Sequence, residues 1–119
     1  MILRTDEFKS LDISYVNSGL LSAYTRCRAD GDGNLQIISL FSTKDYADCY
    51  YEEMLLDEIL DYALAHNLHS IYYIVGPEPW NPEPHLSLAE VEQWYLKQGF
   101  EKTTSVLGAA KMVLTLPEL

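Results

Sequence analysis

The C-terminal third of the chain constrains the fold more than any other part. Ser87 and Glu90 have the spacing of a capping box, in which each side chain satisfies a free amide at the start of a helix. The helix that they open is predicted to end at Gly99, and residues 100–116 read as two strands around a turn at Gly108. A helix that leads into a hairpin is therefore expected here.

The first part of the chain predicts strands instead. Apolar runs at residues 13–16, 20–29 and 35–42 are separated by two short segments rich in Asn, Asp, Ser and Gly. Such segments between apolar runs are typical of the turns of an antiparallel meander.

The middle of the chain changes from strand to helix spacing. Apolar residues recur every three or four positions and acids fill the other side, which predicts an amphipathic helix over residues 47–66. Asn67 is a plausible left-handed stop, and the continuous apolar run at residues 70–75 predicts a central strand. The order of elements predicts one α+β domain over residues 1–119, with helices packed on a mixed, mostly antiparallel twisted sheet.

The segment from Gly76 to His85 contains four of the five prolines. Proline cannot donate a backbone hydrogen bond, so this segment is neither helix nor inner strand. His85 lies at its end, where a loop histidine is either solvated or a base near a bound amine.

Net charge and composition exclude several classes of partner. A formal charge of −10 disfavours nucleic acid and anionic membranes, which need clustered Lys and Arg, and is compatible with a cationic partner such as an amine. No apolar run approaches a membrane span, and the N-terminus lacks the pattern of a secretory signal. Cys27 and Cys49 have no metal-binding spacing and are expected to be reduced, so a cytoplasmic protein is predicted. His66 and His69 lack a third ligand at suitable spacing, and no metal is expected.

The segment Trp94-Tyr95-Leu96-Lys97-Gln98-Gly99-Phe100, followed by Met112-Val113-Leu114-Thr115-Leu116, resembles the end of the GNAT N-acetyltransferase superfamily. That family has a helix ending F-Y-x-K-x-G-F and a last hairpin reading M-V-L-x-L. The resemblance implies a GNAT-like acyl-CoA N-acyltransferase fold with its N-terminal helices reduced or missing. It also implies acetyl-CoA as co-substrate and Tyr95 as the general acid that protonates the departing thiolate. Tyr95 is otherwise a core aromatic.

The resemblance also assigns the residues expected to hold acetyl-CoA. Backbone amides near Leu40, Phe41 and Ser42 match the strand end that holds the acetyl carbonyl in the family. The family grips the pyrophosphate with a loop of pattern Arg/Gln-x-x-Gly-x-Gly/Ala before a helix, and the matching residues are Ala47, Tyr50 and Glu52. Tyr50 and Tyr51 either stack on a bound ring or cover the sheet.

Two functional readings remain open on the sequence. One is an N-acetyltransferase acting on a small-molecule or peptide amine. The other is a catalytically inactive GNAT-like module that binds a protein or another small ligand, favoured by Tyr50 and Glu52 at positions where the family has glycine. The short segment before Ile13 leaves the acceptor side open, and Trp80 between two prolines suggests a homodimer that closes it. If Trp80 folds back onto its own sheet, a monomer suffices.

Overall fold

The computed structural model describes residues 1–7, 9–78, 80, 81 and 84–117. Phe8, Glu83, Glu118, Leu119 and two prolines of the predicted loop, Pro79 and Pro82, lie outside the described residues. Within them the elements are β1 (Ile2–Asp6), β2 (Ser10–Asn17), β3 (Leu20–Ala29), β4 (Asn34–Ser42), a 3-10 helix (Lys44–Tyr46), α1 (Tyr51–Ala65), β5 (Ser70–Ile74), α2 (Leu88–Lys97), β6 (Glu101–Val106) and β7 (Ala109–Thr115).

The described strands form one sheet in the order β1-β2-β3-β4-β5-β7-β6. Strands β1 to β4 are an antiparallel meander, as the alternating runs and turns predicted. Strand β5 pairs with β4 in parallel and with β7 antiparallel. The predicted α+β fold with a mixed, mostly antiparallel sheet is therefore confirmed.

Both helices contribute to one buried cluster with the sheet. Helix α1 buries an apolar side that includes Leu55, Ile59 and Tyr62, and these side chains pack with the inward residues of β2 to β5. Helix α2 buries Tyr95 in the same cluster. The Trp94 indole Nε1 of α2 donates to the Glu53 carboxylate of α1 over 2.9 Å, so the two helices also contact each other through a polar group.

The structure differs from the sequence prediction at two places. Strand β1 was not predicted, because all five of its residues are exposed and carry no apolar alternation to detect. Helix α1 begins at Tyr51 rather than Ala47, because a 3-10 turn and the left-handed backbone of Tyr50 (φ 57°) precede it. Asn67 has φ 56° just after the helix, as its predicted role as a stop requires.

Strands β4 and β5 separate before they end, and this positions the site. Their ladder runs from Asn34–Ser70 to Ile37–Tyr73. At the same level β4 shifts register against β3, because Cys27 pairs with Ile37 and Arg26 pairs with Ser39. Beyond this bulge β4 continues to Ser42 beside β3, while β5 stays with β7. A gap opens between the two parallel strands.

The predicted capping box of α2 is present and can be tested. Ser87 Oγ accepts from the Glu90 amide and Glu90 accepts from the Ser87 amide, each over 3.1 Å. Replacing Ser87 by Ala should lower the free energy of unfolding by about 1 kcal/mol, measured by urea denaturation. Glycine is tolerated at a helix start, so Ser87→Gly should lose only a few tenths of that amount. Equal stability of wild type and Ser87→Ala would contradict the assigned cap.

Candidate functional site

The gap between β4 and β5 holds a largely apolar cavity of about 150 Å³. We call it the β4–β5 cavity. It lies between the end of β4, the segment after β5 and helix α2, and its lining includes Leu40, Ser42, Glu52, Glu78, His85 and Tyr95. Because the strands diverge here, backbone groups on this edge of β4 have no partner strand and must find hydrogen bonds elsewhere.

Glu78 provides one of those hydrogen bonds. Its carboxylate oxygen Oε1 accepts from the Leu40 backbone amide (3.2 Å) and from the Tyr73 hydroxyl (2.8 Å). The other oxygen, Oε2, accepts from the Ser39 hydroxyl over 2.5 Å. Three donors from two strands therefore converge on one carboxylate that sits in the gap between them.

Burial raises the pKa of the Glu78 carboxyl above its ordinary value, and the hydrogen bonds from Ser39, Tyr73 and the Leu40 amide partly offset this. Burial likewise raises the pKa of Tyr73, and the charge of Glu78 adds to the shift. The Tyr73 phenol thus keeps its proton and serves the carboxylate as a donor.

A second side chain from the same segment reaches the end of β4. His85 Nε2 donates to the carbonyl oxygen of Ser42 over 3.0 Å. The Ser42 hydroxyl in turn donates to the carboxylate of Glu52, in the first turn of α1. The end of β4 is therefore tied both to the segment before α2 and to the start of α1.

Tyr95 lies at the inner side of the cavity with its hydroxyl unpaired. The residue is 2% exposed, and among the described residues its hydroxyl is the one buried side-chain oxygen without a hydrogen-bond partner. Its ring stacks on Tyr73 with centroids 4.7 Å apart and meets Phe100 and Trp94 edge to face. Burial raises the pKa of Tyr95 well above its ordinary value, so the phenol carries a proton that no described group accepts.

The predicted site residues divide into two groups. Tyr95, Leu40, Phe41, Ser42 and Glu52 all line the β4–β5 cavity.

The other two, Tyr50 and Tyr51, are absent from its described lining. The Tyr51 ring packs edge to face on Tyr15 of β2 (5.1 Å) and so covers the sheet. Tyr50 is 71% exposed, and its left-handed backbone is one that favours glycine, the residue that the family pattern has there. Tyr50 thus adopts the left-handed backbone that favours glycine, although its side chain is that of tyrosine.

Several residues at the cavity were not predicted as functional. Glu78, Ser39 and Tyr73 act together only because the chain brings two strands side by side, and neither hydropathy nor spacing reveals that pairing. The available signal was an acid, Glu78, placed soon after a buried strand and between two prolines.

The side chain of Trp80 packs against the sheet of the same chain. Its ring meets Tyr24 of β3 edge to face at 6.3 Å, and the guanidinium of Arg26 lies 5.8 Å from its centre. The indole remains 46% exposed. This is the arrangement expected if Trp80 folds back rather than extending toward a second subunit.

Among the described residues, no group of three or more His, Cys, Asp or Glu side chains is arranged so that it could hold a metal ion. Neither helix found there has the length and apolar character required to cross a bilayer.

Comparison with solved structures identifies the fold. The PaiA N-acetyltransferase from Thermoplasma acidophilum, solved with coenzyme A, superposes with a TM-score of 0.73 at 12% identity, over 91% of this chain and 62% of that protein. An acetyltransferase of the GNAT family from Staphylococcus aureus gives 0.72 at 13% identity, over 91% and 68%. Ard1 from Thermoplasma volcanium gives 0.71 at 16%, over 90% and 71%. By sequence, no family model and no curated protein matches the chain.

These likenesses cover almost the whole of this chain, and they establish that it has the GNAT fold. The chain spans about two thirds of the length of the proteins that it matches, and 62% of the first.

The two stacked tyrosines allow a matched test of the geometry. Tyr95→Phe removes a buried hydroxyl without a partner, so it should raise the free energy of unfolding by about 1 kcal/mol. Tyr73→Phe removes a donor to a carboxylate and should lower it by about 1.5–3 kcal/mol. Urea denaturation at pH 7 measures both. Destabilisation by Tyr95→Phe would mean that its hydroxyl has a partner in solution.

Proposed function

We propose that this protein is an acetyl-CoA-dependent N-acetyltransferase that acts on a small-molecule or peptide amine. The observation that carries the proposal is the buried, unpaired hydroxyl of Tyr95 beside the β4–β5 cavity. A buried polar group without a partner costs free energy, so its retention suggests a partner that arrives with a ligand. The GNAT fold of the chain and the coenzyme A bound in one of its structural neighbours support the same reading.

In the proposed reaction, the nitrogen of the amine attacks the thioester carbonyl carbon and the carbon–sulfur bond breaks. The departing sulfur takes the proton of the Tyr95 hydroxyl, which burial keeps protonated before the reaction. The surplus proton of the amine passes to water, and Tyr95 is reprotonated from solvent. Hydrogen-bond donors on β4 would stabilise the negative charge that develops on the carbonyl oxygen.

The start of α1 is where the pyrophosphate of acetyl-CoA would bind. The carboxylates of Glu52 and Glu53 are hydrogen bonded to Ser42 and to Trp94. The left-handed turn at Tyr50 sets the helix start, where free amides favour an anion. The helix start thus offers amides for a phosphate, while the two carboxylates beside it oppose an anion and the family's glycines and arginine are replaced.

The alternative is a catalytically inactive module that binds a protein or another small ligand. One observation favours it: Glu78 and His85 already satisfy the Leu40 amide and the Ser42 carbonyl. If that pairing is permanent, the cavity admits no thioester.

Binding of acetyl-CoA separates the two functions. At a hundredfold excess over its dissociation constant, acetyl-CoA should stabilise the enzyme by about 2.7 kcal/mol, visible as a rise in melting temperature and as heat in calorimetry. An inactive module should show neither signal at millimolar acetyl-CoA. Adenosine nucleotides that lack the pantetheine arm serve as the control, because they cannot fill the β4–β5 cavity.

Catalysis by Tyr95 is tested by its phenylalanine variant. With an amine panel that includes polyamines and basic peptides, Tyr95→Phe should lower turnover by about 10²-fold or more, because the thiolate then leaves unprotonated. Release of the coenzyme A thiol gives the rate, after subtraction of the background from the exposed Cys49. Equal turnover of the two proteins would remove Tyr95 from the mechanism.

A further inference from the structure

We propose that the Glu78 carboxylate is an internal substitute for the acyl carbonyl of the ligand, and that acyl-CoA must displace it to bind. The inference rests on the proposed function. It assigns the Tyr73 hydroxyl and the Leu40 amide, which share one oxygen of Glu78, as the donors for which Glu78 and the thioester compete.

The first support is the arrangement of donors around one oxygen. Glu78 Oε1 receives both the Leu40 amide (3.2 Å) and the Tyr73 hydroxyl (2.8 Å). Two donors aimed at one oxygen are what a carbonyl oxygen needs when negative charge develops on it. The carboxylate thus stands where such an oxygen would be bound.

The second support is the pair of tyrosines beside Glu78. The Tyr73 ring, which carries one of the two donors, stacks on the Tyr95 ring at 4.7 Å. The hydroxyl of Tyr73 is therefore occupied by Glu78, whereas the hydroxyl of Tyr95 is unpaired. Glu78 and Tyr95 line the same cavity, so an acyl group that took the place of the carboxylate would lie in the cavity that Tyr95 also lines.

The third support is the path of the chain. Glu78 follows β5 by four residues and reaches across the gap to β4, where the parallel ladder has ended. His85, from the same segment, holds the Ser42 carbonyl further along β4. The segment between β5 and α2 therefore supplies the partners that an extended ligand lying along β4 would otherwise supply.

Burial raises the pKa of Glu78, which means that the charged form is disfavoured where it sits, and its three donors only partly compensate. Displacement toward solvent would rehydrate the carboxylate and so offset part of the cost of giving up these donors.

Acetyl-CoA and coenzyme A provide the decisive comparison, because only the first has an acyl carbonyl. Calorimetry on Glu78→Ala should show acetyl-CoA binding at least about tenfold tighter than to wild type, the factor that 1.4 kcal/mol of binding free energy represents. Coenzyme A should gain no more than about twofold. Glu101→Ala is the matched control, because it removes an equal charge from an exposed position on β6 and should leave both affinities unchanged.

A second variant distinguishes the expected effect on binding from a folding defect. Glu78→Gln keeps the shape of the side chain but accepts more weakly, so it should change acetyl-CoA affinity in the same direction with a smaller gain. Circular dichroism confirms that each variant is folded.

The outcomes are distinguishable. An equal gain for acetyl-CoA and coenzyme A would point to relief of charge repulsion and overturn the competition. Unchanged acetyl-CoA affinity in folded Glu78 variants would overturn it while leaving the proposed function intact. Failure of wild type and of every variant to bind acetyl-CoA would reject both.

Discussion

The separation of β4 from β5 is the constraint on which the rest of the site depends. Two parallel strands share hydrogen bonds only as far as Ile37 and Tyr73, and each then follows its other neighbour. Backbone groups left on the inner edge of β4 cannot remain unpaired in a buried gap. Glu78 and His85 satisfy two of them, and the cavity, the stacked tyrosines and the carboxylate in the gap all follow from this geometry.

Features set by neighbours in sequence were predictable. The capping box at Ser87, the left-handed Asn67 and the meander of β2 to β4 depend on local spacing and turn chemistry. The predicted helix start at Ala47 was wrong, because residues 47–50 form turns after a short 3-10 helix and Tyr50 has a left-handed backbone. Strand β1 escaped prediction because pairing with β2, rather than burial, holds it.

The site was predictable only in part, for the same physical reason. The family resemblance pointed to Tyr95 and to residues 40–42 at the end of a strand, and all of these line the cavity. Two of the three partners of Glu78, Leu40 and Ser39, lie 38 and 39 residues away, so no local pattern joins them to it. The partners of the two acids at the start of α1, Ser42 for Glu52 and Trp94 for Glu53, lie on other elements and were likewise not predicted.

The placement of the two tryptophans has a spectroscopic consequence. Trp94 lines the β4–β5 cavity and touches Tyr95, whereas Trp80 lies beside Arg26 on β3, 46% exposed. Trp80 thus belongs to the segment between β5 and α2, whereas Trp94 belongs to α2, and the two indoles have different environments. Their emission offers an intrinsic optical readout without any label: filling the cavity alone should perturb Trp94, while a displacement of the whole segment should alter the signals of both.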